Sequence, residues 1–192
     1  MLYGMKHWAE DRYDPGPYRE LAPAYAVHRA IQLLIDRGLL RLDAHSAVFE
    51  PGCNRGRNLQ ILRDRYGCAV LGMDCSPGAV REASVPVRQD NVLTSAWLAE
   101  LPPKSFDVVL TRWHLVHLPP SAAKIAYVEQ LKRLGKAVVL FEPSIGALRV
   151  EVTPAYTLAY EDWVWTYGFR LVEDIPPMNG DTRCFLFPMR PE

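Results

Sequence analysis

Apolar positions along this chain fall into two periods that take turns. Short apolar runs at residues 47–50, 69–73, 85–88, 106–110 and 136–141 read as strands, each bounded by turn residues. Between them lie stretches of helical spacing at 55–66, from Ser76-Pro77 onward, within 95–100, and at 121–134, with Gly67 and Gly135 as stops. The run at 106–110 is apolar apart from Asp107, as expected for a strand covered on both faces. A further helix is predicted over 24–37, with Pro23 near its first turn and Gly38 beyond its end. Tyr25, His28, Ile31, Gln32 and Ile35 follow its period, so His28 reads as a packed or surface histidine and not as a ligand. The tail changes character: a short helix over 160–167 capped by Gly168, then strands at 169–175 and 183–188 joined by 176–181. Repeated strand–helix alternation predicts a parallel sheet with helices on both faces.

Length and charge set limits on this picture. At 192 residues the chain is expected to form one domain over 1–192, with an arm and helix in 1–44 and the α/β core in 45–192. Its 22 basic and 22 acidic residues cancel, which gives no field for nucleic acid or a membrane surface. No apolar run approaches a membrane span, and the N-terminus lacks the apolar core of a signal peptide. Cys53, Cys68, Cys75 and Cys184 contain no C-x-x-C pair, so they read as reduced thiols of a cytoplasmic protein. Residues 1–20 are rich in rings, with Tyr3, His7, Trp8 and Tyr13 ahead of the breakers Pro15 and Pro17. This stretch is either a surface arm covering the core edge or a lid over a ligand.

The chemistry concentrates where the first strand ends. Glu50-Pro51-Gly52-Cys53-Asn54-Arg55-Gly56 carries the spacing E-x-G-x-x-x-G ahead of a helix. A dinucleotide site wants G-x-G-x-x-G, and a carboxylate beside a pyrophosphate would repel it. A carboxylate instead suits a ligand with an ammonium group and no phosphate. Glycine at 52 and 56 is expected to let the backbone approach that ligand closely. The stretch resembles the first motif of class I S-adenosylmethionine-dependent methyltransferases, and its G-C-N-x-G-R-N-L form is similar to that of small bacterial members.

The resemblance implies a Rossmann-like α/β fold, a seven-stranded mixed sheet of five parallel strands followed by an antiparallel C-terminal pair, with helices on both faces. It implies S-adenosylmethionine (SAM) as cofactor and S-adenosylhomocysteine (SAH) as product. Glu50 would face the amino acid end of the cofactor, Asp74 the ribose hydroxyls, and Asp90 with Asn91 the adenine. Gly52, Cys53, Asn54, Gly56, Asn58, Cys75, Arg112 and Trp113 would line the same site, the two cysteines as small packing residues.

The fourth strand opens onto Thr111-Arg112-Trp113-His114-Leu115-Val116-His117-Leu118-Pro119-Pro120. This series is similar to one in methylases associated with surface-sugar biosynthesis, which have a histidine matching His117. It departs from the D/N-P-P-Y/F motif of methylases acting on nucleic acid bases. His117, ahead of His114, is the expected general base, and either histidine alternatively bonds a backbone carbonyl. The pair lacks further ligands at metal spacing. Trp8 and Trp113 either face the sulfonium or pack in the core. The expected function is methyl transfer from SAM to an oxygen or nitrogen of a small-molecule acceptor. The rivals are a catalytically silent scaffold of the same fold and a nucleotide-dependent oxidoreductase. No motif identifies the acceptor or the oligomeric state.

Overall fold

The computed structural model describes residues 22–143, 166–173, 175 and 182–187. Helix α1 (Ala22–Asp36) leads into strand β1 (Ala47–Pro51), helix α2 (Arg57–Tyr66), strand β2 (Ala69–Asp74) and helix α3 (Pro77–Arg81). Strand β3 (Val87–Gln89), helix α4 (Ala96–Glu100) and strand β4 (Phe106–Arg112) follow. A single 3-10 turn (Leu115–His117), helix α5 (Ala122–Leu134) and strand β5 (Gly135–Pro143) complete the parallel part, and strands β6 (Arg170–Leu171) and β7 (Thr182–Phe187) close the sheet.

The seven strands lie in the order β3-β2-β1-β4-β5-β7-β6. Strands β1 to β5 are mutually parallel, and β7 runs antiparallel to both β5 and β6. The chain moves outward from β1 to β2 and β3, then crosses back to lay β4 against the other side of β1. That reversal leaves a crevice beyond the carboxyl ends of β1 and β4, where open α/β sheets bind ligands.

Strand residues two apart share a face, so each strand feeds two cores. Val48, Val108, Leu110, Val139, Phe141 and Leu186 pack with Val27, Ile31 and Leu34 of α1 and with Leu59 and Leu62 of α2. Phe49, Val109, Val138, Leu140 and Phe185 face the other way, toward Leu98 of α4 and Tyr127, Val128, Leu131 and Leu134 of α5. Serine hydroxyls open three of the helices: Ser76, Ser95 and Ser121 accept from the backbone N–H groups of Ala79, Leu98 and Lys124. Gly67 ends α2 in the left-handed conformation.

The predicted elements match, with shifts at their ends. Helix α2 begins two residues later than its pattern, because Asn54 and Gly56 both hold positive φ in the turn before it. The strand expected at 85–88 pairs over Val87–Gln89, and that expected at 169–175 pairs only over Arg170–Leu171. Gly135 stops α5 without a left-handed cap and is itself the first residue of β5. The arm with Tyr3, His7, Trp8 and Tyr13 lies outside the described residues, as does the helix expected at 160–167 save for its last two positions. Among the described residues no helix is long and apolar enough to cross a membrane.

Leu59 is fully buried beneath the helix that follows the glycine turn. Leu59→Ala is expected to lower the unfolding free energy by about 2–5 kcal/mol. Ile125→Ala, at an exposed position, should change it by less than about 0.5 kcal/mol. Urea denaturation of both variants measures the contrast, and similar losses in the two would show that α2 is not anchored through Leu59.

Candidate active site

The turn after β1 is held by the neighbouring strand. Gly52 and Cys53 both donate their N–H groups to the Met73 carbonyl, at 2.7 and 3.2 Å, and Gly56 donates to Cys53 O at 2.9 Å. The Asp74 carboxylate braces the turn: Oδ2 accepts from Asn54 N at 2.8 Å and Oδ1 from Ser76 N at 2.9 Å. Each carboxylate oxygen has room for a second donor, so these bonds leave acceptor capacity on a half-buried group. Asn54, at φ 53°, accepts Arg55 N on its own Oδ1 at 2.8 Å, and Arg55 ion-pairs with Glu82 behind the turn. Cys53 turns its thiol into the core, against Gly72, so the turn presents its backbone. Burial, with the charges of Glu50 and Asp74, pushes that thiol well above its ordinary pKa.

The two glycines are required by the protein's own packing. Both have positive φ, 68° at Gly52 and 72° at Gly56. A Cβ at Gly52 would overlap the His114 ring, and one at Gly56 would overlap Val85. The protein itself fills the space that the missing side chains leave.

Glu50 is 1% exposed. Its Oε1 accepts from Asn58 Nδ2, in the first turn of α2, at 2.6 Å. Its Oε2 is buried with no hydrogen-bond partner among the described residues. Burial raises Glu50 to about 8, against the Asn58 bond and the nearby Arg112 charge, which lower it. An ionised oxygen held dry and unpaired is costly, so the empty group holds its proton, and a donor bearing positive charge removes that cost. An ammonium group therefore fits this position, and a phosphate does not.

At the end of β3, Asp90 accepts from Ser95 Oγ at 2.7 Å, from Asn91 N at 2.8 Å and from Arg88 Nε at 3.4 Å. Burial alone would raise Asp90, yet these donors hold it below the ordinary carboxylate range. Asn91 folds back on the chain, with Oδ1 accepting Leu93 N at 3.0 Å. Both residues follow the edge strand β3 and shape the turn into α4. Cys75 is half-buried beside Asp74, and burial together with that charge raises its thiol to about 11.

The segment after β4 closes the other side of the crevice. Arg112 ends the strand and its guanidinium lies 6.0 Å from the Trp113 ring centroid. Trp113 holds a positive φ of 50°, pinned by Trp113 N to Phe141 O at 2.9 Å and by Nε1 to Thr182 Oγ1 at 2.7 Å. A bulky residue in that region is strained unless its surroundings impose it. His114 packs its imidazole on Gly52, and Nε2 hydrogen-bonds with the Tyr127 hydroxyl at 3.0 Å. Burial pushes His114 down to about 3, with the charges of His117 and Lys124 adding to the effect. His117 is half-buried at the end of the 3-10 turn. Among the described residues no cluster of His, Cys, Asp and Glu is arranged to hold a metal ion.

One residue that the sequence pattern marked only as a strand end proves central. Glu142, at the end of β5 and 1% exposed, accepts four hydrogen bonds. Oε1 takes Thr111 Oγ1, His114 N and Leu115 N at 3.0, 3.1 and 3.1 Å, and Oε2 takes Val116 N at 3.3 Å. The one signal available was the tripeptide Phe-Glu-Pro, present at 141–143 as at 49–51.

A family model described as a methyltransferase domain matches residues 49–147, more than half of the chain. The chain belongs to this methyltransferase family. Its members use SAM, and the protein is a SAM-dependent methyltransferase. Solved structures share the fold at low identity. A SAM-dependent methyltransferase from Aquifex aeolicus is 17% identical, with a TM-score of 0.61 over 91% of this chain and 97% of its own. The magnesium protoporphyrin IX methyltransferase from Synechocystis, solved with bound SAM, is 19% identical, with a TM-score of 0.60 over 96% of this chain and 90% of its own. Phosphoethanolamine N-methyltransferase 1 from Haemonchus contortus, in complex with phosphoethanolamine and SAH, is 14% identical, with a TM-score of 0.64 over 95% of this chain and 46% of its own. The comparison with curated proteins found no match.

The buried Glu50 makes the ligand-free methyltransferase pH-sensitive. Its folded pKa, about 8, lies above the ordinary carboxylate value, so the folded state binds the extra proton between the two. Its contribution to stability is therefore complete below the ordinary value and lost as pH rises through about 8. Glu50→Gln keeps an acceptor for Asn58 and cannot ionise. The variant is expected to gain stability relative to the wild type steadily from pH 5 to pH 8. Parallel curves of melting temperature against pH would refute a buried, ionisable Glu50.

Proposed function

We propose that the protein transfers the SAM methyl group to an oxygen or nitrogen of a small molecule, with the crevice between β1 and β4 as the site. The observation that carries the reading is the unpaired, buried Oε2 of Glu50 beside a positively curved glycine turn. Glu50 would receive the ammonium of the cofactor's amino acid end, with Asn58 fixing the carboxylate through Oε1. Asp74 would take the ribose hydroxyls on lone pairs not used by Asn54 N and Ser76 N. Asp90 and Asn91 would meet the adenine, and Gly52, Cys53, Asn54 and Gly56 would line the turn. When bound, the cofactor supplies an electrophilic methyl on a sulfonium. Such a displacement asks the chain mainly for alignment, and effective molarities in aligned reactions reach about 10⁵–10⁸ M. Arg112 and Trp113 would wall the acceptor side, the latter fixed by Thr182. An acceptor without a large net charge suits a chain whose formal charges cancel.

Calorimetric titration with SAM, SAH and NAD tests the cofactor assignment directly. Micromolar binding of SAM and SAH is expected, with no response to NAD. Because empty Glu50 keeps its proton up to about pH 8, binding near pH 7 should expel a proton, and affinity should rise with pH toward 8, above which the cofactor's own ammonium loses its proton. Asp74→Ala should weaken binding at least tenfold, since charged hydrogen bonds contribute about 1.5–3 kcal/mol each. Tight NAD binding without a SAM response would overturn the reading.

His117 would serve as base for a hydroxyl acceptor. The His114 ring is committed to Gly52 and Tyr127, and at about 3 it takes no proton near neutral pH. With an acceptor in hand, His117→Ala should lower kcat on the order of 10²–10⁴-fold at saturating SAM. An unchanged kcat and pH profile in this variant would leave proton loss to solvent.

A further inference from the structure

The four hydrogen bonds to Glu142 tie two neighbouring elements to one carboxylate on β5. Thr111 belongs to β4, and His114, Leu115 and Val116 form the start of the 3-10 turn. Three consecutive backbone N–H groups converging on one buried group leave the turn little freedom to shift. Burial pushes the Glu142 carboxyl above its ordinary range, and the Leu115, His114 and Thr111 donors, with the neighbouring Lys124 charge from α5, work against that rise. The first of the three held residues is His114, whose ring is wedged between Gly52 and Tyr127. Gly52 in turn follows Glu50 by two residues. A continuous contact path thus runs from the end of β5, through the backbone and ring of His114, to the turn after β1.

We propose that Glu142 is a positioning residue for methyl transfer, setting the segment after β4 and, through the His114 imidazole, the shape of the glycine turn that holds the cofactor. The inference rests on the cofactor site proposed above. It assigns a shared mechanical support to the cofactor side and the acceptor side of the crevice. An acceptor-side movement of the 3-10 turn is then felt at Gly52 without any ligand in contact with Glu142.

Two measurements on Glu142→Gln, His114→Ala and the double variant test this. The glutamine keeps an oxygen for the three donors at Oε1 and sets an amide N–H against Val116 N. Amide exchange needs no ligand. Glu142→Gln should speed exchange at His114, Leu115 and Val116, and also at Gly52 and Cys53, which are bonded to Met73 O. His114→Ala should speed Gly52 and Cys53 while leaving Leu115 and Val116 close to wild type. In calorimetry with SAH, each single variant should lose on the order of tenfold in affinity, and the double variant should be no weaker than the weaker single one. Additive losses, or unchanged Gly52 and Cys53 exchange in Glu142→Gln, would overturn the proposal. If wild-type protein binds no SAH, the cofactor reading falls, and the exchange pattern still decides the coupling. Should Glu142→Gln not fold, Thr111→Val, which removes one donor and keeps the carboxylate, carries the same expectation and the same reversal.

Discussion

A carboxylate taken out of water must find donors or give up its charge, and this sheet buries two of them at the ends of its central strands. Glu50 closes β1 and Glu142 closes β5, each 1% exposed. Glu142 finds four donors inside the protein and fixes the segment after β4. Glu50 finds only Asn58, and its second oxygen stays unpaired among the described residues. The first arrangement is complete and holds structure. The second is incomplete, and a cationic group placed there would complete it.

The fold makes these two ends meet. Because strand order reverses between β1 and β4, the turn after β1 and the segment after β4 face each other with no strand between them. His114 bridges that gap by packing on Gly52, and Asp74 braces the same turn from β2. Strain is present in the same place: Asn54 and Trp113 both hold positive φ, each imposed by hydrogen bonds to neighbouring strands. Stability given up at such positions is consistent with a site shaped in advance for its ligand.

Most of the architecture was legible in the pattern of residues. Strands that bury both faces read as continuous apolar runs, which is why β4 and β5 were clear. The outer strands were less so, because β3 and β6 lie near the edges and pair over few residues. The candidate site was legible as a set of acidic strand ends, Glu50, Asp74 and Asp90, since the pattern that marks them is local. What the glycines touch was not. The missing side chains of Gly52 and Gly56 leave room for His114 and Val85, which are distant in sequence. The packing of His114 was not legible either: burial pushes it to about 3, and its ring meets the Tyr127 hydroxyl.

The tripeptide Phe-Glu-Pro stands at residues 49–51 and again at 141–143, and it separates the two kinds of information. Sequence alone determined that each run is an apolar strand ending in an acidic residue, because period and composition act locally along the chain. It determined the glycine turn and the class of ligand that a carboxylate beside it admits. Only the tertiary structure decided which glutamate is satisfied by the protein and which remains open. That difference depends on where the N–H groups of residues 114–116 and the Asn58 amide come to lie, and hydrogen-bond satisfaction of a buried group is set by neighbours in space, not by neighbours in the chain.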